Sequence, residues 1–548
     1  MIQRGGSVAG VGHAVVPGVE VPPDHRASSR PQWRTVLLLS LCVIVAFVCY
    51  LRLGTTRAVD SDGAAQALQA WDMLHGNPLL RGWALSDVSF YTTELPQYMV
   101  VELVRGLGAN VVQIAAAMTF TLVLVLAALV AKGTATGASA VARVLITTGI
   151  MVAPQLSAGV KIFISSPDHI GTTVPVLLVW LILDRAPRRW FVPVIVVVLL
   201  SLAVVADVLV LYIGVLPVVL VCAARLGHAV VAKREPVRSQ WYEITLAVGA
   251  AVAVVLAKAV LRAITAAGGF VVQAPIAHVH GVSELPHALN VTGRGLLLLA
   301  GADFFGAGSA GAEPAFIWLH LAGAAAAGLG IVLAMRRYLR DRGIVDQVLV
   351  AAILINLAAY VFSTQSASIL ASREIVAVLP FGAVLAGRML ADRVLAVRWA
   401  PMVLLVILAG YLGGLGYALA QPSAPPGNQQ LTSWLAAHRL RSGLAGYWQA
   451  NVVTLASGEH TRLRPITAAG ARVVPYQWES SSSWYDARQG SANFVVLTAG
   501  TAEYPGFAAE AAVLATFGRP AHSYHVGSYE VLVWHKNLLR DLGRPSAY

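Results

Sequence analysis

Two aspartates stand close together in the polar segment that follows the first apolar run of the chain. Asp60 and Asp62 are separated by one serine, and Gly63 follows them. A carboxylate at such a place can act as a general base, because it can take the proton of a hydroxyl group that attacks a substrate. An aspartate also suits a helix N-terminus, where it accepts hydrogen bonds from backbone N–H groups, and we expect Asp62 at that N-cap. Both interpretations stay open at this point.

The residues after these aspartates have the spacing of a short amphipathic helix. Apolar side chains recur at helical intervals from Ala64 to Leu74, and the Gly and Pro residues that follow predict a turn at 75–78. A second amphipathic stretch begins near Glu94. An amphipathic helix at a membrane lies in the interface with its apolar face in lipid, and this is what we expect of the first helix.

Three further polar sites lie at the ends of apolar runs. Asp168 and His169 open one run, Arg294 lies near another, and Arg373 precedes a third. The Asp-His pair can simply cap a helix, and an arginine at a helix end can extend its side chain to the membrane surface. An arginine at such a place can also bind a phosphate group. These alternatives stay open as well.

The composition indicates which elements must position these residues. The chain has 548 residues, of which 57% are hydrophobic and 12% are charged, and its mean hydropathy is +0.69. A soluble globular chain is about 25% charged, so this composition is typical of an integral membrane protein. The net charge of +12 does not indicate nucleic-acid binding, because the basic residues lie in short clusters between apolar runs.

The apolar runs predict an α-helical polytopic membrane protein with about eleven transmembrane helices. A spanning helix needs about 20 mostly apolar residues. The runs cover residues 35–52, 98–131 (with an amphipathic lead-in), 140–163, 169–184, 190–206, 208–224, 242–264, 315–335, 345–362, 374–391 and 399–419. Asp207 separates two of them and predicts a tight external turn.

The basic residues predict the orientation of these helices. Lys and Arg are concentrated in alternate loops, and loops of this kind face the cytoplasm. We therefore expect a disordered cytoplasmic tail at 1–34, a transmembrane domain at 35–420 with an external loop at 53–97, and an extracytoplasmic domain at 421–548. The predicted location is the plasma membrane, and Asp62, Asp168 and Arg373 then lie at its external face.

The C-terminal residues predict a small soluble α/β domain after a Pro-rich linker. Helices are expected at 429–440 and 506–517, and strands at 452–456, 472–476, 493–498 and 529–534. Aromatic residues such as Trp448 can stack on sugar rings or simply pack in the core of the domain.

The order of these features resembles the GT-C superfamily of polytopic glycosyltransferases. The chain has a first span, an external acidic motif and an interfacial helix that ends at a Gly/Pro turn. It is most similar to the branch that includes the protein O-mannosyltransferases and the aminoarabinose lipid A transferases. In that branch an acidic residue lies about three turns before the Gly-containing end of the helix, and Asp62 fits this position better than Asp60. The family often has two acids in a row, whereas Ser61 separates them here, so both residues stay candidates.

The resemblance also implies roles for the other polar sites. GT-C enzymes carry a second acidic residue in the next external loop, which would place Asp168 across a cavity from the first. Asp168 and His169 would then hold a divalent cation or bind the donor phosphate, although an Asp and a His alone do not define a metal site. The stretch from Arg373 to Pro380 is similar to an Arg/Pro stretch that opens a late span in the family. Arg373 would therefore pair with a lipid phosphate.

The resemblance implies a membrane glycosyltransferase that moves a sugar, with inversion, from a polyprenyl-phosphate donor to an extracytoplasmic acceptor. The acceptor would be a glycan, lipid or protein of the cell envelope. Asp62 or Asp60 would be the general base, and positive charge would stabilise the leaving phosphate. The predicted phosphate or metal residues are Asp168, His169, Arg373 and Arg294, and the predicted acceptor contacts are Glu94 and Trp448.

A non-catalytic protein is the alternative, either a transporter or an envelope-assembly protein with a glycan-binding external domain. A transporter usually keeps ionisable residues near the middle of the membrane. The spans of this chain hold few such residues, with Asp207 and Lys258 as the main exceptions. This distribution favours the enzyme.

Overall fold

The computed structural model describes residues 32–156, 158–186, 188–274, 277–305, 313–337, 343–498 and 508–543. The predicted cytoplasmic tail therefore lies almost entirely outside the described residues, and the first helix begins at Gln32.

The described residues up to Leu419 form helices with connecting loops and two short strands. The α-helices are α1 (Gln32–Gly54), α2 (Ser61–Leu74), α3 (Glu94–Arg105), α4 (Asn110–Lys132), α5 (Gly137–Met151), α6 (Ala158–Ile164), α7 (Asp168–Arg185), α8 (Phe191–Ala206), α9 (Leu216–Gly227), α10 (Trp241–Ala266), α11 (Leu285–Leu299), α12 (Glu313–Arg337), α13 (Ile344–Val361), α14 (Val378–Ala396) and α15 (Ala400–Leu419). Turns of π-helix extend α9 at both ends, so that one helical segment covers Leu211–Ala232.

Within the described residues, seven of these helical segments are long and apolar enough to cross a membrane. Two bent pairs of helices bring the number to nine, and α5 and α8 are shorter apolar helices. The polytopic helical fold predicted from the sequence is therefore confirmed. The predicted continuous helix at 140–163 is wrong, because the chain leaves the helix after Met151 and Pro154 lies in the break before α6.

Helix α8 shows why these helices need a membrane around them. Val192, Val196 and Leu200 are buried against the rest of the protein, whereas Val194 and Val198 on the other side of the helix are about half exposed. A helix of a soluble protein carries polar residues on its outer face. An outer face of valine and leucine is instead suited to lipid.

The two bent pairs place polar residues beside apolar helices. The first pair, α6 and α7, is bent by 54° at Ser165–Pro167, directly before Asp168. The second pair consists of a 3-10 helix at Ile369–Ile375 and helix α14, and it is bent by 56°. Pro380 lies in the first turn of α14, where its missing N–H group is tolerated but would have interrupted a continuous helix.

The C-terminal residues form the predicted α/β domain around a six-stranded sheet. Its elements are α16 (Gln429–Ala437), β3 (Ser442–Ala445), α17 (Tyr447–Ala456), β4 (Arg462–Ala469), β5 (Arg472–Pro475), β6 (Ser480–Ser481), β7 (Phe494–Thr498), α18 (Glu510–Phe517), β8 (His522–Val526) and β9 (Tyr529–Val533). The strand order is β5-β4-β3-β7-β9-β8, with β3 parallel to both of its neighbours.

One predicted strand of this domain is a helix. Residues 452–456 form the second half of α17, which packs against β4 and α2. The run of β-branched residues from Val452 to Thr454 favours a strand by composition. A buried strand and a buried helix cannot be told apart by a run this short, and tertiary packing decides between them.

A smaller sheet joins the α1–α3 segment to the C-terminal domain. Its central strand is β1 (Trp83–Leu85), which pairs with β2 (Val271–Val272) on one side and with β6 on the other. Helix α2 lies close by, and its residues from Gly63 to Ala70 are all buried. The expectation that α2 lies with its apolar face in lipid is wrong, because that face packs against Val452 and Leu455 of α17.

Candidate active site

The two aspartates of the Asp-Ser-Asp motif have different environments. Asp60 is the N-cap of α2, and its Oδ1 accepts a hydrogen bond from the Gly63 backbone N–H at 3.1 Å. The expectation that Asp62 is the N-cap is therefore wrong, because the helix begins one residue earlier, at Ser61. Burial, followed by the neighbouring Asp62, raises the pKa of Asp60 to about 6. Asp62 lies in the first turn of α2, and its carboxylate contacts residues of other segments.

Asp62 is held from the C-terminal domain by a tyrosine. The Tyr447 hydroxyl at the start of α17 donates to Asp62 Oδ1 at 2.7 Å. The same hydroxyl lies 3.0 Å from Glu479 Oε2. Ser61 fixes this arrangement further, because its hydroxyl donates to the Tyr447 carbonyl at 2.6 Å. The N-terminus of α2 is thus attached to the N-terminus of α17.

The geometry around Tyr447 indicates a protonated Glu479. A hydroxyl group has one hydrogen, so it cannot donate to two carboxylates, and the second contact needs a hydrogen on a carboxyl group. Burial, followed by the nearby Asp62 carboxylate, raises the pKa of Glu479 well above its ordinary value. Glu479 is therefore the partner that carries a proton, and Tyr447 is left to donate to Asp62.

Arg373 connects the two acids that lie in different loops of the sequence. Its Nη1 is 3.5 Å from Asp62 Oδ2 and 3.3 Å from Asp168 Oδ2. Its Nε is 3.9 Å from Glu374 Oε1. The Arg373 side chain is 44% exposed, so a further anion can reach it.

His169 lies between two further carboxylates, those of Asp207 and Glu374. Its Nδ1 lies 2.8 Å from Asp207 Oδ2, and its Nε2 lies 3.2 Å from Glu374 Oε1. Only an imidazolium ring can donate from both nitrogens, so this geometry is that of a cationic histidine. Asp207 also accepts from the Thr172 hydroxyl and from the Leu209 backbone N–H, both at 2.8 Å.

We call this group the acid cluster: Asp62, Asp168, Asp207, Glu374 and Glu479, with Arg373, His169 and Tyr447 between them. The bends in the two helix pairs supply Asp168, His169, Arg373 and Glu374. Two of the acids, Asp168 and Glu479, have φ values of +29° and +46°. Such backbone costs about 1–3 kcal/mol per residue and persists where the surrounding structure enforces it, often at functional sites.

Three predicted site residues lie beside the acid cluster or apart from it. Glu94 is completely buried, and it packs so closely on Gly171 of α7 that a Cβ there would come within 2.2 Å of its Oε1. Burial raises the pKa of Glu94 to about 8. Trp448 is 44% exposed, with its ring next to that of Tyr447. Arg294 lies on α11 over the ring of Phe305 and, among the described residues, makes no ion pair with the acid cluster.

The donor atoms of the acid cluster do not fit a metal ion in their present arrangement. Both nitrogens of His169 face carboxylates, and Asp168 is paired with Arg373. In the part of the chain that the structure describes, no group of three or more His, Cys, Asp or Glu side chains has the geometry of a metal site.

The sequence did not point to Tyr447, Glu374 or Glu479 as site residues. Glu374 follows Arg373 directly, so its place in the acid cluster could have been inferred from its position in the sequence. Asp207 stood out as one of the few acids near the spans, but its partner His169 lies on another helix. Tyr447 and Glu479 come from the C-terminal domain, and their place depends on how that domain docks, which no local pattern reveals.

Comparisons with known proteins find the fold and not a sequence family. The sequence matches no protein-family model and no curated protein. The structure is similar to that of ArnT from Cupriavidus metallidurans in the apo state, with a TM-score of 0.53 and 15% identity over 94% of this chain and 99% of ArnT. ArnT bound to undecaprenyl phosphate gives a TM-score of 0.53 at 13% identity, with the same coverage of both chains.

A weaker similarity concerns the archaeal oligosaccharyltransferase AglB from Archaeoglobus fulgidus, in complex with an inhibitory peptide and a dolichol-phosphate. Its TM-score is 0.47 at 12% identity, over 92% of this chain and 75% of AglB. The ArnT comparison extends over nearly the whole of both chains and includes the C-terminal domain. The chain therefore has the fold of ArnT, which is the GT-C fold that its sequence resembles.

Proposed function

We propose that this protein is a membrane glycosyltransferase that uses a polyprenyl-phosphate sugar as donor. The observation that carries the proposal is the pair formed by Asp62 and Arg373, whose charged atoms are 3.5 Å apart. Transfer of a sugar to a hydroxyl group needs a base for the attacking oxygen and positive charge for the leaving phosphate. In this pair, Asp62 is the base and Arg373 provides the positive charge.

The proposed reaction is a single displacement. The acceptor hydroxyl oxygen attacks the anomeric carbon of the donor, and its proton passes to the Asp62 carboxylate. The bond between the anomeric carbon and the phosphate oxygen breaks, and its electron pair leaves with the polyprenyl phosphate. Arg373 stabilises the negative charge on that phosphate. One displacement at the anomeric carbon inverts its configuration.

The remaining residues of the acid cluster keep this pair in place. Tyr447 donates to one oxygen of Asp62, so the other oxygen faces Arg373 and an incoming hydroxyl group. Asp168 contacts the same guanidinium nitrogen of Arg373. His169 lies on the first bent helix pair and contacts Glu374 of the second pair and Asp207 at the end of α8. We assign Asp60 a structural role because its carboxylate is used as the helix cap.

The fold supports the choice of donor. The structure of ArnT, which has the same fold, has been solved with undecaprenyl phosphate bound. In the protein described here, a polyprenyl-phosphate sugar donor would reach the acid cluster from the membrane. The half-exposed Trp448 ring lies beside Tyr447 and offers a surface on which an acceptor sugar can stack. We place the reaction at the extracytoplasmic face, in agreement with the distribution of basic loops.

The test is a transfer assay with the purified full-length protein in detergent. Radiolabelled polyprenyl-phosphate hexose and pentose are supplied separately, with a cell-envelope extract as acceptor, and nucleotide sugars serve as the comparison. We expect one lipid-linked sugar to be consumed, with release of polyprenyl phosphate and transfer of label to the extract. Consumption of nucleotide sugars alone would contradict the donor, and a lack of reaction with every donor would contradict the proposed activity.

A further inference from the structure

A polar cavity in the C-terminal domain lies apart from the acid cluster. Its volume is about 200 Å³, several times the ~30 Å³ that one water molecule occupies in the liquid. Strands β3 and β4, the segment that contains Trp484, and the loop at residues 489–492 surround it. Most of its polar lining consists of hydrogen-bond donors: two arginines, serine hydroxyls and a glutamine amide.

Arg464 of β4 is the central feature of this cavity. Its guanidinium group lies over the Trp484 ring, 4.1 Å from the centroid. Its Nη1 atom is buried and donates to no described residue. Burial is the main cause that lowers the pKa of Arg464, to about 10. A buried N–H donor without an acceptor is unfavourable, so Nη1 is arranged for an anion that the protein itself does not provide.

Arg388 is a useful comparison, because its charge is balanced by carboxylates of the protein itself. Arg388 on α14 lies 3.1 Å from Asp184 and 2.6 Å from Asp346, so its charge is balanced within the protein. Arg464 has no comparable ion pair among the described residues. The Trp484 ring lies against the Arg464 guanidinium group, but an indole has no oxygen or nitrogen that accepts a hydrogen bond.

A second cation lies at the mouth of the same cavity. Arg462 also lines it, and its side chain is 54% exposed. Its nearest carboxylate oxygen, on Glu459, is 3.8 Å away, a long and solvent-screened ion pair. Two arginines on one strand, one partly buried and one exposed, can hold an oxyanion together.

The cavity is connected to the acid cluster through a short piece of chain. Trp484 contacts Trp83 of β1, with ring centroids 4.9 Å apart. Glu479, which contacts Tyr447 in the acid cluster, is five residues before Trp484 in the sequence. Five residues span at most about 18 Å even when fully extended. A saccharide chain of a few units can therefore reach from one place to the other.

We propose that this cavity binds an oxyanion, a phosphate or carboxylate group, carried by the saccharide chain that accepts the new sugar. Arg464 and Arg462 bind the anion, and the Trp484 edge contacts the sugar that carries it. The acceptor assignment rests on the proposed function, whereas anion binding at Arg464 does not. Binding of the anion in the cavity would determine which sugar unit of the acceptor lies at Asp62.

The test is isothermal titration calorimetry with the purified full-length protein in detergent. The probes are inorganic phosphate, glucuronate and neutral glucose, at constant ionic strength. We expect saturable binding of phosphate or glucuronate, and the stronger of the two identifies the anion, whereas glucose binds far more weakly. Arg464→Gln should weaken anion binding roughly tenfold or more, because it removes charged hydrogen bonds.

Two further variants keep this result interpretable. Arg462→Gln changes a half-exposed side chain and should fold normally while weakening the anion several-fold. Arg472→Gln removes an exposed arginine of β5 that does not line the cavity, and it should bind the anion as the wild type does. Equal binding of anions and glucose, no saturable anion binding, or unchanged binding in both Arg464→Gln and Arg462→Gln would overturn the proposal. Binding is measured without turnover, so a failed transfer assay leaves this result independent.

Discussion

At the scale of single residues, the environment of Asp62 depends on partners from two distant parts of the chain. Tyr447 and Arg373 each face one of its oxygens. The structure brings together Asp62, Asp168, His169 and Arg373, which the sequence indicated as polar residues next to apolar runs, and their roles stay predictions. The sequence was not sufficient to assign the N-cap, because Asp60 and Asp62 have equal capping propensity and only the first helical residue distinguishes them.

Substitutions of Glu479 test whether this residue is protonated at neutral pH. Glu479→Gln keeps a hydrogen-bond donor and acceptor without charge, so it should retain most of the transfer activity. Glu479→Leu and Tyr447→Phe each remove a hydrogen bond from the chain that ends at Asp62, and kcat should fall roughly tenfold with little change in KM. Steady-state kinetics with the lipid-linked donor measures both constants. A loss in Glu479→Gln as large as that in Glu479→Leu would show that the charged carboxylate is needed.

Glu94 should make the stability of the protein depend on pH. Its pKa rises from an ordinary value of 4.5 to about 8 in the folded protein because of burial. The folded state then binds the proton more tightly than the unfolded state, so stability is greatest below pH 4.5. It should decrease by about 1.4 kcal/mol per pH unit as the pH rises toward 8.

Glu94→Gln removes this titration while keeping the shape of the side chain. The unfolding temperature of the variant should therefore exceed that of the wild type at pH 8 and match it near pH 5. Tryptophan fluorescence during heating in detergent can measure the difference. The same difference at both pH values would show that Glu94 does not titrate in this range.

At the scale of elements, the bends in two helix pairs bring the site together. Hydropathy separated the runs at 140–163 and 169–184 near the first bend, but it assigned Ala158–Ile164 to the preceding run. It began the later run at residue 374, inside the second bent pair, so it did not predict the helix at Ile369–Ile375. The prolines at 167 and 380 are the local signals that could have predicted the two bends. The same reliance on tertiary packing explains the error at α17, where a run that reads as a strand is held as a helix between α2 and β4.

Close approach between helices α12 and α14 offers a test of the packing. A Cβ at Gly330 would lie 2.6 Å from the Ala386 backbone nitrogen, whereas a Cβ at Gly328 on the same helix meets nothing within 4 Å. Backbone atoms cannot rotate away, so Gly330→Ala should destabilise the protein by roughly 1–3 kcal/mol. Gly328→Ala is the matched control and should be neutral or slightly stabilising. Unfolding in denaturant measures both, and equal stability of the two variants would contradict this packing.

At the scale of the whole molecule, composition and hydropathy were enough to predict a polytopic helical fold with a C-terminal α/β domain. They could not predict that the domain contributes Tyr447 and Glu479 to the site. The interaction between these parts is tertiary: the α2 face that reads as membrane-facing is covered by α17. An apolar helix face has the same sequence pattern whether lipid or protein covers it.

Cysteine labelling tests the predicted orientation in the membrane. The three native cysteines, Cys42, Cys49 and Cys222, are first replaced by alanine. Arg519→Cys then places a thiol on the exposed surface of the C-terminal domain, and Arg336→Cys places one at the end of α12. In intact spheroplasts, a membrane-impermeant maleimide should label the first variant and not the second. Labelling of the Arg336→Cys variant alone would reverse the orientation and contradict the proposed side of the reaction.

The most direct test of the central claim compares the two aspartates of one motif. Asparagine caps a helix as well as aspartate does, so Asp60→Asn should keep its hydrogen bond to Gly63 and most of the transfer activity. Asp62→Asn keeps the shape of the side chain but cannot accept the proton, and the rate should fall by roughly 100-fold or more. Transfer from a polyprenyl-phosphate sugar is measured for both variants at equal amounts of folded protein. Full activity in Asp62→Asn, or an equal loss in Asp60→Asn, would contradict the assignment of Asp62 as the base.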